Sequence, residues 1–358
     1  MAERQFNFSA GPGVLPESVL TEIASELPVY KDIGTSILEI SHRSAPYTEL
    51  AESAKSSLRQ LLGMGDDWHI LFLQGGASLQ FYQVPLNFLP KGGSADYIVT
   101  GSWAKKAHKE ALLVGDARVA ASGEADSFSH IPARATWNLN PDAAYLHYTS
   151  NNTIFGTQFK DVPDVSVPLV CDASSDFLSG PIRMEGFGLI YAGAQKNMGP
   201  AGVTVVLIRD EFLTKRNGGL PTMLDYGTHI DKLFNTPPVF AVYAVEKVLR
   251  WLIGLGGLSA IQTINARKAA KLYSAIDISS FYRGTARPDS RSHMNVCFRL
   301  PDEALEKRFI VEAAAAGLQS LKGHRSAGGI RASLYNACPE EAVDALISFM
   351  REFERTSG

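Results

Sequence analysis
The sequence predicts an α/β protein, with a large domain on a mainly parallel, mixed sheet covered by helices and a smaller C-terminal α+β domain. Three observations predict it. Short β-rich apolar runs alternate with helical stretches over the first two thirds of the chain; one pair of runs is too closely linked for a crossover helix; and the pattern changes past residue 257.

The runs at 69–73, 97–100, 145–148, 167–171, 189–192 and 203–208 are almost continuously apolar, as strands covered on both faces must be. Residues 104–113 follow Ser102, a residue type that caps helices, and read as one covering helix. The link 193–202 is turn-rich and too short for a helix, so runs 189–192 and 203–208 are expected antiparallel. Gly256-Gly257 then breaks helix propensity. Beyond it come a helix at 265–273, a strand at 294–300, a helix at 303–316 stopped by Gly317, a strand at 330–333 and a helix at 339–354. The expected division is an N-terminal arm at 1–15, a large domain at 16–257 and a small domain at 258–358.

A length of 358 residues exceeds what one apolar core serves well, in keeping with two domains. The formal charge of −3, from 34 basic and 37 acidic residues, provides no field for nucleic acid or an anionic membrane, so a small-molecule partner is expected. Three cysteines, Cys171, Cys297 and Cys338, lack metal-ligand spacing and fit buried small side chains in a reducing compartment. No metal is expected. Residues 1–5 carry no apolar leader and no run approaches the roughly 18 residues that cross a bilayer, so a cytoplasmic protein is expected.

Chemistry enters at Lys196, alone in the small-residue loop Ala194-Gln195-Lys196-Asn197 just after an apolar run. A lysine on a turn is commonly a solvated surface group. Asp172 changes that weighting, because it ends the apolar run 167–171 where open α/β sheets form their ligand crevice. An amine and a carboxylate at neighbouring strand ends suit pyridoxal 5′-phosphate: the amine holds the cofactor and the acid keeps its pyridine nitrogen protonated. Gly75-Gly76 before a presumed helix start would offer backbone N–H groups to a phosphate. Trp103, just past another strand, could stack on the ring or simply fill the core.

The chain also resembles the phosphoserine aminotransferases, a family of pyridoxal-phosphate enzymes of fold type I. The resemblance runs through Phe6-Asn7-Phe8-Ser9-Ala10-Gly11-Pro12, Ser41-His42-Arg43, Val84-Pro85-Leu86-Asn87, Tyr191 to Asn197, Phe234-Asn235-Thr236-Pro237-Pro238, Gly323-His324-Arg325 and Gly329-Ile330-Arg331-Ala332-Ser333. It covers essentially the whole chain. It implies an aspartate-aminotransferase-like fold and a homodimer with the active site at the subunit interface.

Residue by residue, the resemblance makes Lys196 the Schiff-base lysine, Asp172 the pyridinium partner, Trp103 the stacking ring and Thr153 the partner of the ring hydroxyl. Ala77, Ser78 and Gln195 match phosphate-contacting positions, and Asn235 and Thr236 those reaching that phosphate from the neighbouring subunit. Some members have Gly-Arg where this chain has Ala77-Ser78, so backbone amides and the Ser78 hydroxyl would have to substitute. Arg331 resembles the α-carboxylate clamp; His42, Arg43, His324 and Arg325 resemble the group that recognises substrate phosphate; Ser9 with Arg43 matches the glutamate-binding positions.

The implied reaction is ping-pong transfer of an amino group from glutamate to 3-phosphohydroxypyruvate, giving O-phospho-L-serine and 2-oxoglutarate, as in serine biosynthesis. Bacterial members also form phosphohydroxythreonine in pyridoxine biosynthesis, which the sequence leaves open. It also leaves open another enzyme on this fold, such as an alanine–glyoxylate transaminase; a desulfurase would need a mobile nucleophilic cysteine, and Cys338, next to Pro339, has no activating cation beside it in sequence.

Overall fold
The computed structural model describes residues 4–230 and 232–358, so the first three residues of the expected arm lie outside it. Seven strands form the main sheet: β1 (Trp68–Leu73), β2 (Ser94–Val99), β3 (Asp116–Ser122), β4 (Leu146–Thr149), β5 (Leu169–Asp172), β6 (Phe187–Gly193) and β7 (Thr204–Arg209). Their order is β1-β7-β6-β5-β4-β2-β3. Strand β7 runs antiparallel to both neighbours and every other pairing is parallel, so the short-link reading is borne out.

The period-two alternation of strand side chains divides the apolar residues between the two sheet faces. Val205 and Leu207 join one core, Val206 and Ile208 the other; Cys171 and Ala192 join the first, Val170 and Tyr191 the second. Burying each large apolar side chain contributes about 1.5–3 kcal/mol, which is what holds helices such as Ala45–Leu62, Gly76–Phe88 and Val239–Gly254 on this sheet. Strand β3 escapes the sequence reading because Asp116–Ser122 carries three alanines and is half exposed at the sheet edge, a weak β signal.

Ser102 is not an N-cap. It is the first residue of helix Ser102–Ala111, which has no side-chain cap, and Gly101 precedes it. A Cβ on Gly101 would sit 2.5 Å from Asn152 Oδ1, so close approach selects glycine there instead of a capping side chain.

A third core lies in the C-terminal part, around Phe298, Phe309, Leu334 and Val343, with the three-stranded antiparallel sheet Arg283–Gly284, Asn295–Arg299 and Ile330–Ser333. Helix Gly257–Asp277 begins at the double glycine rather than at 265, with Gly256 at φ 100°. Its Leu258 and Ile261 pack in the main core and its Ala269, Leu272 and Ile276 in the C-terminal one, so one helix belongs to both. The N-terminal segment also joins the C-terminal core: Phe6–Asn7 pairs in parallel with Leu318–Gln319, and Phe8 is fully buried there. All three cysteines are buried and free. Among the described residues no helix is long and apolar enough to cross a membrane, and no cluster of metal-ligating side chains occurs.

Candidate active site
The carboxyl ends of β1, β2, β4, β5 and β6 open on one edge of the sheet, and predicted site residues follow each of them: Ala77 and Ser78, Trp103, Thr153, Asp172, and Gln195 with Lys196. Asp172 is the last residue of β5, buried opposite Thr149 and Tyr191. Its Oδ1 accepts from the Ser174 amide at 3.0 Å. Burial pushes its carboxyl above the ordinary range, against the opposing pull of the Ser174 hydrogen bonds and the Lys196 charge. Lys196 lies in the turn after β6, and its Nζ donates to Thr153 Oγ1 at 2.7 Å. Burial drives its amine down to about 8, with Asp172 resisting, Arg331 adding to the fall and Asp176 resisting. The amine is therefore poised to lose its proton near neutrality.

The N-terminal segment closes one side. The Gly13 amide donates to Gln195 O at 2.7 Å, and Tyr335 Oη donates to Ala10 O at 2.7 Å. A Cβ on Gly13 would stand 2.8 Å from the Tyr335 ring and 2.9 Å from Lys196 O, so only glycine lets the arm lie this close. The Trp103 ring centroid is 6.0 Å from Lys196 Nζ, and Trp103 Nε1 is buried without a hydrogen-bond partner among the described residues.

Ala77 and Ser78 fall in the first turn of helix Gly76–Phe88, which has no side-chain cap, leaving first-turn N–H groups open to an anion. Gly75 at φ 91° makes that entry possible, since a Cβ there would strike Leu79 at 2.6 Å. Gln195 folds back so far that a Cβ on Gly193 would lie 2.7 Å from its Oε1. Arg331, on strand Ile330–Ser333, donates from Nη1 to Thr153 O at 3.4 Å, which brings it to the residue that holds Lys196. His324 and Arg325 occupy the loop before that strand, with His324 Nδ1 2.7 Å from Ser326 Oγ. The His324 imidazole is held below its usual range by partial burial first, then by the Arg331, Arg325 and Lys106 charges.

Other predicted residues stand apart. His42 and Arg43 lie in the turn before helix Ala45–Leu62, where the Arg43 amide donates to Ser41 Oγ at 3.2 Å. Among the described residues, no hydrogen bond or ion pair joins either to Lys196, Arg331, His324 or Arg325. Asn235, next to Thr236, donates from Nδ2 to Gln74 Oε1 at 2.7 Å and lines a cavity of about 340 Å³ with Gln74 and Leu79. The Ser9 amide donates to Asn7 Oδ1 at 2.9 Å, and Ser9 Oγ accepts from the Gly11 amide at 3.4 Å.

Sequence reasoning missed Asp176 and Tyr335. Asp176 accepts from Ser150 Oγ and, at 3.1 Å, from Gln158 Nε2; burial raises its carboxyl to about 6. Its signal was the second carboxylate four residues after Asp172. Cys338 is buried, and burial pushes its thiol up to about 11, which opposes the role of a desulfurase nucleophile.

Fold and site together define a lysine-centred enzyme of the aminotransferase class, and the aminotransferase class-V family model matches residues 5–346. Phosphoserine aminotransferase of Desulfosudis oleivorans is 54% identical over 363 residues, covering all of both chains. The solved phosphoserine aminotransferase from Bacillus circulans subsp. alkalophilus superposes with a TM-score of 0.98 at 50% identity, again over both full chains. A PLP-bound phosphoserine aminotransferase from Trichomonas vaginalis gives 0.93 at 40% identity, covering 97% of this chain and 100% of that one. The chain belongs to the class-V aminotransferases and, within them, to the phosphoserine aminotransferase family.

Proposed function
We propose that the protein transfers an amino group reversibly between glutamate and 3-phosphohydroxypyruvate, forming O-phospho-L-serine and 2-oxoglutarate, as a cytoplasmic enzyme of serine biosynthesis with pyridoxal 5′-phosphate held at Lys196. The observation that carries it is a half-buried lysine amine of depressed pKa, bonded to Thr153, that feels the charges of both Asp172 and Arg331.

The residues present fit the cofactor. Lys196 supplies the amine, and Trp103 supplies a ring beside it whose Nε1 still lacks a partner. The uncapped first turn at Ala77 and Ser78 supplies donors for a phosphate, and on this reading those donors would stand in for the arginine that some members carry there. On this reading Asp172 would hold the cofactor's ring nitrogen protonated, Thr153 would meet its ring hydroxyl, and Gln195 would join Ala77 and Ser78 at the phosphate. Asn235 and Thr236 of a second copy would complete that cradle, making a homodimer the working unit. When bound, the cofactor supplies an electron sink for charge developing at the substrate Cα.

The chain's own side chains do the rest. Lys196 Nζ, with its pKa lowered to about 8, can take the proton from the substrate Cα and return it. Arg331 would hold the α-carboxylate through its planar fork and fix Cα before that amine. His324 and Arg325, with His42, Arg43 and Ser9 at the remaining positions, would receive the far end of the substrate, a carboxylate in one half-reaction and a phosphate in the other.

The test is a coupled assay of O-phosphoserine with 2-oxoglutarate beside alanine with glyoxylate. Turnover of the first pair should exceed that of the second by at least about 10²-fold, the discrimination available to a site with charged hydrogen-bonding partners. Comparable rates on both pairs would overturn the reading.

A further inference from the structure
The proposed substrates end in a carboxylate or a phosphate, and the cations meeting that end come from more than one part of the molecule. A further cation, Lys106, has no role assigned above. It lies three residues after Trp103 on helix Ser102–Ala111, hence on the same helix face. Its Nζ stands 4.3 Å from the Trp103 ring centroid, and Lys196 Nζ stands 6.0 Å from the same centroid. Laid end to end, those two distances keep the ammonium groups within about 10 Å of each other.

Lys106 is exposed and makes no ion pair among the described residues, whereas its neighbour Lys105 is paired with Glu124. Its charge also reaches His324, where Arg325 and Arg331 are felt too. Lys106, Arg325 and Arg331 thus all lower that imidazole's pKa, while Trp103 sets Lys106 within about 10 Å of Lys196. Such a group repels itself until an anion enters.

We propose that Lys106 is a specificity-determining residue for the phosphorylated substrate, reaching from the Trp103 helix to a phosphate that His324 and Arg325 meet from the opposite loop. The inference rests on the function proposed above. A lysine suits this place: a compact charge on a flexible stem can follow a phosphate, and the stem stays on the Trp103 face when no phosphate is present. A dianionic phosphate gains more from an added cation than a carboxylate does, so Lys106 favours the phosphorylated ligand over glutamate.

The experiment uses holoenzyme and two unreactive probes, 3-phosphoglycerate and glutarate, as competitive inhibitors of wild type, Lys106→Met and Lys106→Arg. Methionine keeps an apolar stem over Trp103 and removes the charge. The expected result is about tenfold weaker 3-phosphoglycerate inhibition in Lys106→Met, less than about threefold change for glutarate, and recovery in Lys106→Arg. The 3-phosphoglycerate defect should shrink at 0.5 M salt, where wild type loses the same screened attraction. Equal losses on both probes, or none, would overturn the assignment and leave Lys106 as a support for Trp103. A wild type inactive on O-phosphoserine would instead sink the function reading, so the two failures are separable.

Discussion
Two lysines, Lys196 and Lys268, have amines lowered to about 8, both chiefly by burial, yet only one can meet a ligand. Lys268 is fully buried and gives its three donors to the carbonyls of Leu334, Tyr335 and Cys338 at 2.9–3.0 Å. Lys196 keeps an open side and a single hydroxyl partner. In cofactor-free protein, an amine-directed reagent should therefore label Lys196 first. The labelling rate should rise with pH through about 8, because only the neutral amine reacts, while surface lysines titrate near 10.4. Asp172 raises the Lys196 pKa, so Asp172→Asn should move the labelling midpoint to lower pH. In loaded enzyme the same change should cut turnover by about 10²- to 10³-fold, as expected for loss of an aimed charge in a site. Peptide mapping by mass spectrometry reads the first two outcomes and steady-state kinetics the third. A midpoint unmoved in Asp172→Asn would mean that the two groups do not share a field.

The loop bearing His324 and Arg325 is shaped by backbone contacts instead of side-chain packing. The Gly323 amide donates to Gly329 O at 2.8 Å, and Gly328 and Gly329 turn the chain at φ 69° and 68°. A Cβ on Gly323 would stand 2.0 Å from Gly328 O and 2.7 Å from Gly329 O, backbone atoms that cannot rotate away. Gly323→Ala should displace this loop at a stability cost of about 1–3 kcal/mol, the usual scale of local backbone strain. O-phosphoserine turnover should fall at least about tenfold, the value of one or two charge-assisted contacts, and glutamate binding should fall less. Thermal unfolding and substrate titrations measure both effects, and an unchanged preference would detach this loop from phosphate recognition. The Gly323-His324-Arg325 motif was readable in the sequence. That its glycine is held by a backbone clash was not, because the clash joins residues that only the fold brings together.

At the scale of the whole molecule, the proposed site draws on an N-terminal arm anchored to the C-terminal core, on the main sheet edge and on the loop before Ile330–Ser333. It would also need Asn235 and Thr236 from a second copy. Mixing Lys196→Ala with the Asn235→Ala/Thr236→Ala double variant tests this. Each is expected to be nearly inactive alone. After subunit exchange, random pairing makes half of the dimers mixed, each with one intact site, so activity should return to about a quarter of wild type. No recovery, with exchange verified by sedimentation of tagged subunits, would place all site residues in one chain.

The sequence by itself determined the α/β class, the antiparallel β7, the placement of Lys196 and Asp172 at neighbouring strand ends and the family. Those features are written in local periodicity, link length and contiguous motifs, which survive without knowledge of distant contacts. Tertiary structure alone decided that Gly101 and not a capping serine opens the Trp103 helix, that one helix serves two cores, and that Asp176, Tyr335 and Lys106 belong near the lysine. Each of these depends on groups far apart in the chain or on desolvation, and burial and distance are properties that a chain acquires only by folding.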